Sequence, residues 1–98
     1  MRAPYTELYV HLIWSTWDRL PLLDAGLEPG VYAAIAAKCR DMGCPPLEIG
    51  GIPDHVHLLV QLNPAVAISN LLKEVKGASS HLATHVLRPT EFFKWQGA

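Results

Sequence analysis

The sequence predicts an α+β sandwich, with a four-stranded antiparallel sheet covered on one face by two helices. Three observations predict it. Segments 5–14 and 55–62 alternate apolar and polar residues with a period of two. Two other segments, from about 28 to 42 and from 68 to 86, repeat apolar residues at helical spacing. Pro, Gly, Asn and Asp punctuate the junctions between them.

The first strand is read over YTELYVHLIW, with Leu8, Val10, Leu12 and Trp14 on one face and Tyr5, Glu7, Tyr9, His11 and Ile13 on the other. Asp18-Arg19-Leu20-Pro21 breaks the pattern. The first helix carries Val31, Ala34, Ile35, Cys39 and Met42 on one stripe. Pro29 suits its first turn, Gly43 its stop, and Pro45-Pro46 prevents its continuation. PLEIGGI (46–52) reads as a second strand, and Pro53-Asp54 as a tight turn. HVHLLVQL is the strongest strand: Val56, Leu58, Val60 and Leu62 face one side, and His55, His57, Leu59 and Gln61 the other. After Asn63-Pro64, the residues Ile68, Leu71, Leu72, Val75, Ala78, Leu82 and Val86 mark the second helix. EFFKW (91–95) is expected to be a last short strand. This order gives a ferredoxin-like βαββαβ sandwich, with the first and third strands side by side at the centre. The apolar faces of those strands go under the helices. The opposite face presents Tyr9, His11, Ile13, His55, His57 and Leu59.

Composition narrows the function. The 98 residues make one domain, half apolar and 17% charged. No apolar run is long enough for a membrane span or a signal peptide, and two cysteines are too few for a disulfide framework. A soluble cytoplasmic protein is expected. A net charge of −1 excludes a bulk electrostatic binder of nucleic acid. The charge is uneven, however: residues 1–70 sum to −3 and residues 71–98 to +2. A DNA or RNA site would be a local patch towards the C-terminal end.

His55 and His57 stand two apart on one strand, so their side chains leave the same face about 6–7 Å apart. Imidazoles so placed can converge on one divalent cation. Mg²⁺ or Mn²⁺ would also need oxygen ligands. His11 is open to several roles: third ligand, support for a ligand, DNA contact or plain surface residue. Asp54 alternates to the wrong face and reads as a turn residue. Lys73, Lys76, Ser80 and Thr84 form a polar stripe on the second helix, suited to phosphate contacts or to simple solvation. His81 and His85 read as surface residues, and Cys39 and Cys44 as core or near-surface thiols. Trp17, in a loop beside Arg19, is a candidate for stacking on a base.

Gly51-Ile52-Pro53-Asp54-His55-Val56-His57-Leu58-Leu59-Val60 resembles the His-hydrophobe-His signature of the single-tyrosine insertion-sequence transposases and their REP-associated relatives. The likeness extends to Val10–Thr16, Arg19–Leu23, Leu71–Ser80 and Phe92–Gly97. The resemblance implies the same sandwich, with the site on its open face. It implies cutting and rejoining of single-stranded DNA beside hairpins through a phosphotyrosine intermediate. It also implies His55 and His57 as ligands of Mg²⁺ or Mn²⁺, and a homodimer. On the residues themselves, the candidate DNA contacts are His11, Arg19, Lys73 and Lys76.

The family places its nucleophilic tyrosine on a helix beyond the segment that begins Phe92 to Gly97, whereas this sequence ends at Ala98. The expectation is a C-terminally truncated chain without the family nucleophile. Tyr5, Tyr9 and Tyr32 do not match its motif. Such a chain would expose Ile13, Leu59 and Phe93 or Trp95, favouring self-association. The alternative is a catalytically dead remnant acting as a DNA-binding or dimerising regulatory module. An RNA-recognition module is disfavoured, since the central strands offer histidines where stacking aromatics are wanted.

Overall fold

The computed structural model describes residues 7–97. Its elements are β1 (Tyr9–Ser15), α1 (Glu28–Asp41), β2 (Pro46–Ile52), β3 (His55–Gln61) and α2 (Ile68–Leu82), the last followed by one wide turn over Ala83–Leu87. The expected start of the first strand at Tyr5 lies outside the described residues.

The sheet has the order β1-β3-β2, antiparallel throughout. The first and third strands are neighbours as expected, and β3 holds the middle. Alternation decides its two faces. Val56, Leu58 and Val60 are fully buried, while His55, His57 and Leu59 between them are partly exposed. On β1, Trp14 enters the core and Ile13 stays 58% exposed.

Both helices lie on the apolar side. Val31, Ile35 and Cys39 of α1 join Leu71 and Val75 of α2 in one core with the β3 valines and Leu58. Pro29 sits in the first turn of α1, and Gly43, at φ 70°, follows its C-terminus in the left-handed conformation. The stripe of α2 contains one polar member, the buried Ser79. Its hydroxyl donates to the Val75 carbonyl at 2.6 Å and accepts the Trp95 indole N–H at 3.0 Å.

Three expectations need correction. The fourth strand is not formed: residues 91–95 contribute a single antiparallel bridge, Thr16 to Trp95. The bridge is flanked by Trp17 N–H donating to the Lys94 carbonyl and Gln96 N–H donating to the Ser15 carbonyl. Upstream, Arg88 is anchored to Asp24, 2.7 Å between Nη2 and Oδ1, and Glu91 N–H turns back to the Arg88 carbonyl. That turn leaves no length for a ladder. Phe93 and Trp95 are also buried, stacked edge to face, rather than exposed. Phe92 is the exposed aromatic. The helical stripe likewise ends early, with Val86 beyond α2 and 62% exposed.

Candidate functional site

The β2–β3 hairpin sets the position of His55. Ile52 pairs with His55 across the Pro53-Asp54 turn, and Gly50 pairs with His57. A Cβ on Gly51 would overlap the His55 carbonyl oxygen, so only glycine lets β2 approach this closely. On the other side, Ser15 faces His55 and Ile13 faces His57. The two imidazoles share the open face with ring centroids 4.9 Å apart.

Each ring has its Nδ1 engaged. His55 Nδ1 lies 2.8 Å from Asp54 Oδ1. His57 Nδ1 lies 3.3 Å from Nε2 of His11, whose ring centroid is 5.4 Å away. Asp54, expected to be a mere turn residue, thus reaches round to its neighbour. Its carboxyl is held below the ordinary range, chiefly by the hydrogen bond from His55 and further by Arg19, against its partial burial. Arg19 Nη2 lies 3.4 Å from Asp54 Oδ2. The backbone of Asp54 is fixed too, since its carbonyl accepts Thr16 N–H at 2.9 Å.

Arg19 reaches Asp54 from an unusual loop. Asp18 and Arg19 both adopt left-handed conformations, at φ 52° and 53°. Such residues cost of order 1–3 kcal/mol each and persist where surroundings hold them. Here Asp18 N–H donates to Gln96 Oε1 at 2.8 Å and the Thr16 hydroxyl donates to the Leu20 carbonyl at 2.6 Å.

Two hollows flank the pair. One, of about 290 Å³, is lined by His11, Glu48, Gly50, Gly51, His57 and Leu59. The other is lined by Ile13, Trp14, Ser15, Arg19 and His55. With protons on both Nδ1 atoms, both Nε2 lone pairs are left for a ligand. No set of three His, Cys, Asp or Glu side chains converges on one point among the described residues. Two imidazole nitrogens are an incomplete ligand set, so a divalent ion held there would take its other positions from oxygens of water or phosphate.

The sequence-derived candidates fall into two groups. His11 and Arg19 join His55 and His57 on the open face. Lys73 and Lys76 sit on α2, lining a hollow of about 240 Å³ with Gly77, Ser80, Lys94, Trp95 and Gly97. Lys76 Nζ donates to the Gln96 carbonyl at 2.8 Å, and Lys94 Nζ lies 4.3 Å from the Trp17 ring centroid. Sequence reasoning missed Asp54, Glu48 and Lys94. Counting pairs back from the Pro53-Asp54 turn puts Glu48 opposite Leu59, on the open face. That signal was available. The reach of Asp54 to His55 had none. Tyr9 shares the open face, 51% exposed, and a hydrogen bond with Glu7 raises its phenol above the ordinary value. His81 and His85 stack on each other at 4.5 Å, and both cysteines are buried.

Residues 4–96 match the family described as IS200-like transposases. Over 74 residues the chain is 32% identical to the TnpA transposase of ISDra2 from Deinococcus radiodurans, covering 76% of this chain and 53% of that protein. It therefore spans about half the length of that curated relative. A crystal structure from Deinococcus radiodurans R1, assigned as a transposase, superposes with a TM-score of 0.90 at 24% identity, covering all of this chain and 79% of that one. A REP-associated tyrosine transposase bound to a REP hairpin gives a TM-score of 0.67 at 17% identity, covering 99% and 59%. These two likenesses speak for the fold.

Proposed function

This chain belongs to the IS200-like transposase family, and from that premise we propose that its open sheet face binds a single-stranded DNA hairpin, with Mg²⁺ or Mn²⁺ held by His55 and His57. The observation that carries this reading is the pair of rings 4.9 Å apart on the middle strand, both partly open to solvent. Bound there, the ion would supply electrostatic polarisation of a phosphodiester oxygen. The chain's own residues do the rest. His55 and His57 orient the donors, Arg19 offers its exposed guanidinium to phosphate beside them, and His11 buttresses His57. Lys73, Lys76 and Lys94 form a second basic surface that would follow the backbone without reading sequence. A relative of the same fold is bound to a REP hairpin, which supports this class of partner.

Strand cleavage and rejoining is the activity that family membership suggests. Among the described residues Tyr9 is the tyrosine on the open face, and its hydrogen bond with Glu7 raises its phenol above the ordinary value, which disfavours the phenolate a nucleophile needs. A homodimer belongs to the same proposal, supported by exposed apolar side chains such as Ile13 and Phe92, each 58% exposed, and light scattering across a dilution series would read it as twice the monomer mass.

Fluorescence anisotropy of a labelled DNA hairpin, titrated with protein in Mn²⁺ and in EDTA, tests the reading. Tighter binding in Mn²⁺, lost in His55→Ala/His57→Ala, is expected. Lys73→Ala/Lys76→Ala should weaken all hairpins alike and flatten the salt dependence by about two phosphate contacts. Binding indifferent to both metal and histidines would overturn the metal assignment. No hairpin binding by the native chain would overturn the DNA assignment.

A further inference from the structure

We propose that Asp54 is a positioning residue for the histidine pair: its carboxylate accepts the Nδ1–H of His55, so that the imidazole is locked in the tautomer that presents Nε2 as a lone-pair donor, with Arg19 steadying the carboxylate from its other oxygen. The inference rests on the reading of His55 and His57 as cation ligands and adds a residue to that site.

Three observations carry it. The contact is short, 2.8 Å between Asp54 Oδ1 and His55 Nδ1, with both side chains about three-quarters shielded from solvent. A carboxylate accepts hydrogen bonds and cannot donate them, so the proton of a neutral imidazole must lie on Nδ1. Nε2 is then the free nitrogen. The second oxygen of Asp54 faces Arg19 at 3.4 Å, and the backbone carbonyl of Asp54 receives Thr16 N–H at 2.9 Å. Asp54 is thus fixed at side chain and backbone alike, and it passes that order to His55. A ligating histidine whose other nitrogen is held by a carboxylate is both oriented and made more basic. Removing such a support typically costs 10–100-fold in metal affinity.

The loop conformation adds weight. Arg19 reaches Asp54 from a turn in which Asp18 and Arg19 both hold left-handed backbone angles, an arrangement non-glycine residues adopt at a cost.

The test needs no metal for its first half. Long-range proton–nitrogen NMR of ¹⁵N-labelled full chain at pH 8, metal-free, reports which nitrogen of His55 carries the proton. Protonated Nδ1 and bare Nε2 are expected in the native chain. Asp54→Asn should preserve this state, because the amide oxygen still accepts from Nδ1–H. Asp54→Ala should release it, with the proton moving substantially to Nε2. An amide fingerprint unchanged beyond the turn would establish that both variants fold. Mn²⁺ titration then gives the second half: a 10–100-fold loss for Asp54→Ala, a loss of a few-fold at most for Asp54→Asn, and a smaller loss for Arg19→Gln than for Asp54→Ala. A native His55 with its proton on Nε2, or an Asp54→Ala variant with unchanged tautomer and unchanged Mn²⁺ affinity, overturns the proposal. If the tautomer responds as expected but the native chain binds no Mn²⁺, the positioning by Asp54 stands and the cation reading beneath it fails.

Discussion

The two faces of β3 are built from alternate residues of one seven-residue strand, and they do opposite things. Val56, Leu58 and Val60 have no exposed surface and tie both helices to the sheet. His55, His57 and Leu59, one step out of phase, are partly exposed and carry the candidate chemistry. The strand is held rigid by its apolar face, by β1 on one edge and by β2 on the other. The histidines inherit that rigidity without contributing to the core. Stability and function should therefore be separable by mutation along a single strand.

The largest effect expected from breaking this contrast is on the buried side. Leu58→Ala should lower unfolding free energy by about 2–5 kcal/mol, read from a urea melt. His57→Ala, one residue away, should change it by no more than about 0.5 kcal/mol while weakening Mn²⁺ binding. Equal destabilisation by both would mean that the open face is structural. Gly51→Ala sharpens the comparison from the neighbouring strand. Its Cβ meets the His55 carbonyl, so a cost of about 1–3 kcal/mol should come with a shifted His55 resonance. Below that comes Trp95→Phe, which removes the indole donor to Ser79. A loss of about 0.5–1.5 kcal/mol is expected from the hydrogen bond, with the open face untouched.

The split between faces was largely legible in the sequence, because β alternation is a strict period and both segments kept it. The adjacency of His11 to the pair followed from antiparallel pairing of β1 with β3. What was illegible depended on contacts outside that period. Asp54 points away from the histidine face by alternation, yet it belongs to a turn, where alternation ceases to apply. Segment 91–95 has strand-like composition, but Phe93 and Trp95 take their places in the core and Arg88 is anchored to Asp24. Composition favours extended backbone there; the anchors leave room for one bridge only. Ser79, absent from the apolar stripe read in the sequence, is a buried bracket for Trp95.

A pH-dependent effect is expected in the core. Burial, aided by Cys44 and opposed by Arg40, pushes the Cys39 thiol up to about 11. The fold favours the neutral thiol. That contribution is complete below the ordinary thiol value of about 8.5 and is lost as pH rises through about 11. Urea midpoints should fall over that window, and less so in Cys39→Ala.

The claim on which the rest depends is that the open face holds a divalent ion through two histidine nitrogens. Electron spin-echo envelope modulation of Mn²⁺ bound to the native chain measures those nitrogens directly. Modulation from two imidazole nitrogens, reduced to one in His55→Ala and in His57→Ala, is the expected result. Bound Mn²⁺ with water oxygens alone, and no nitrogen modulation, would contradict it.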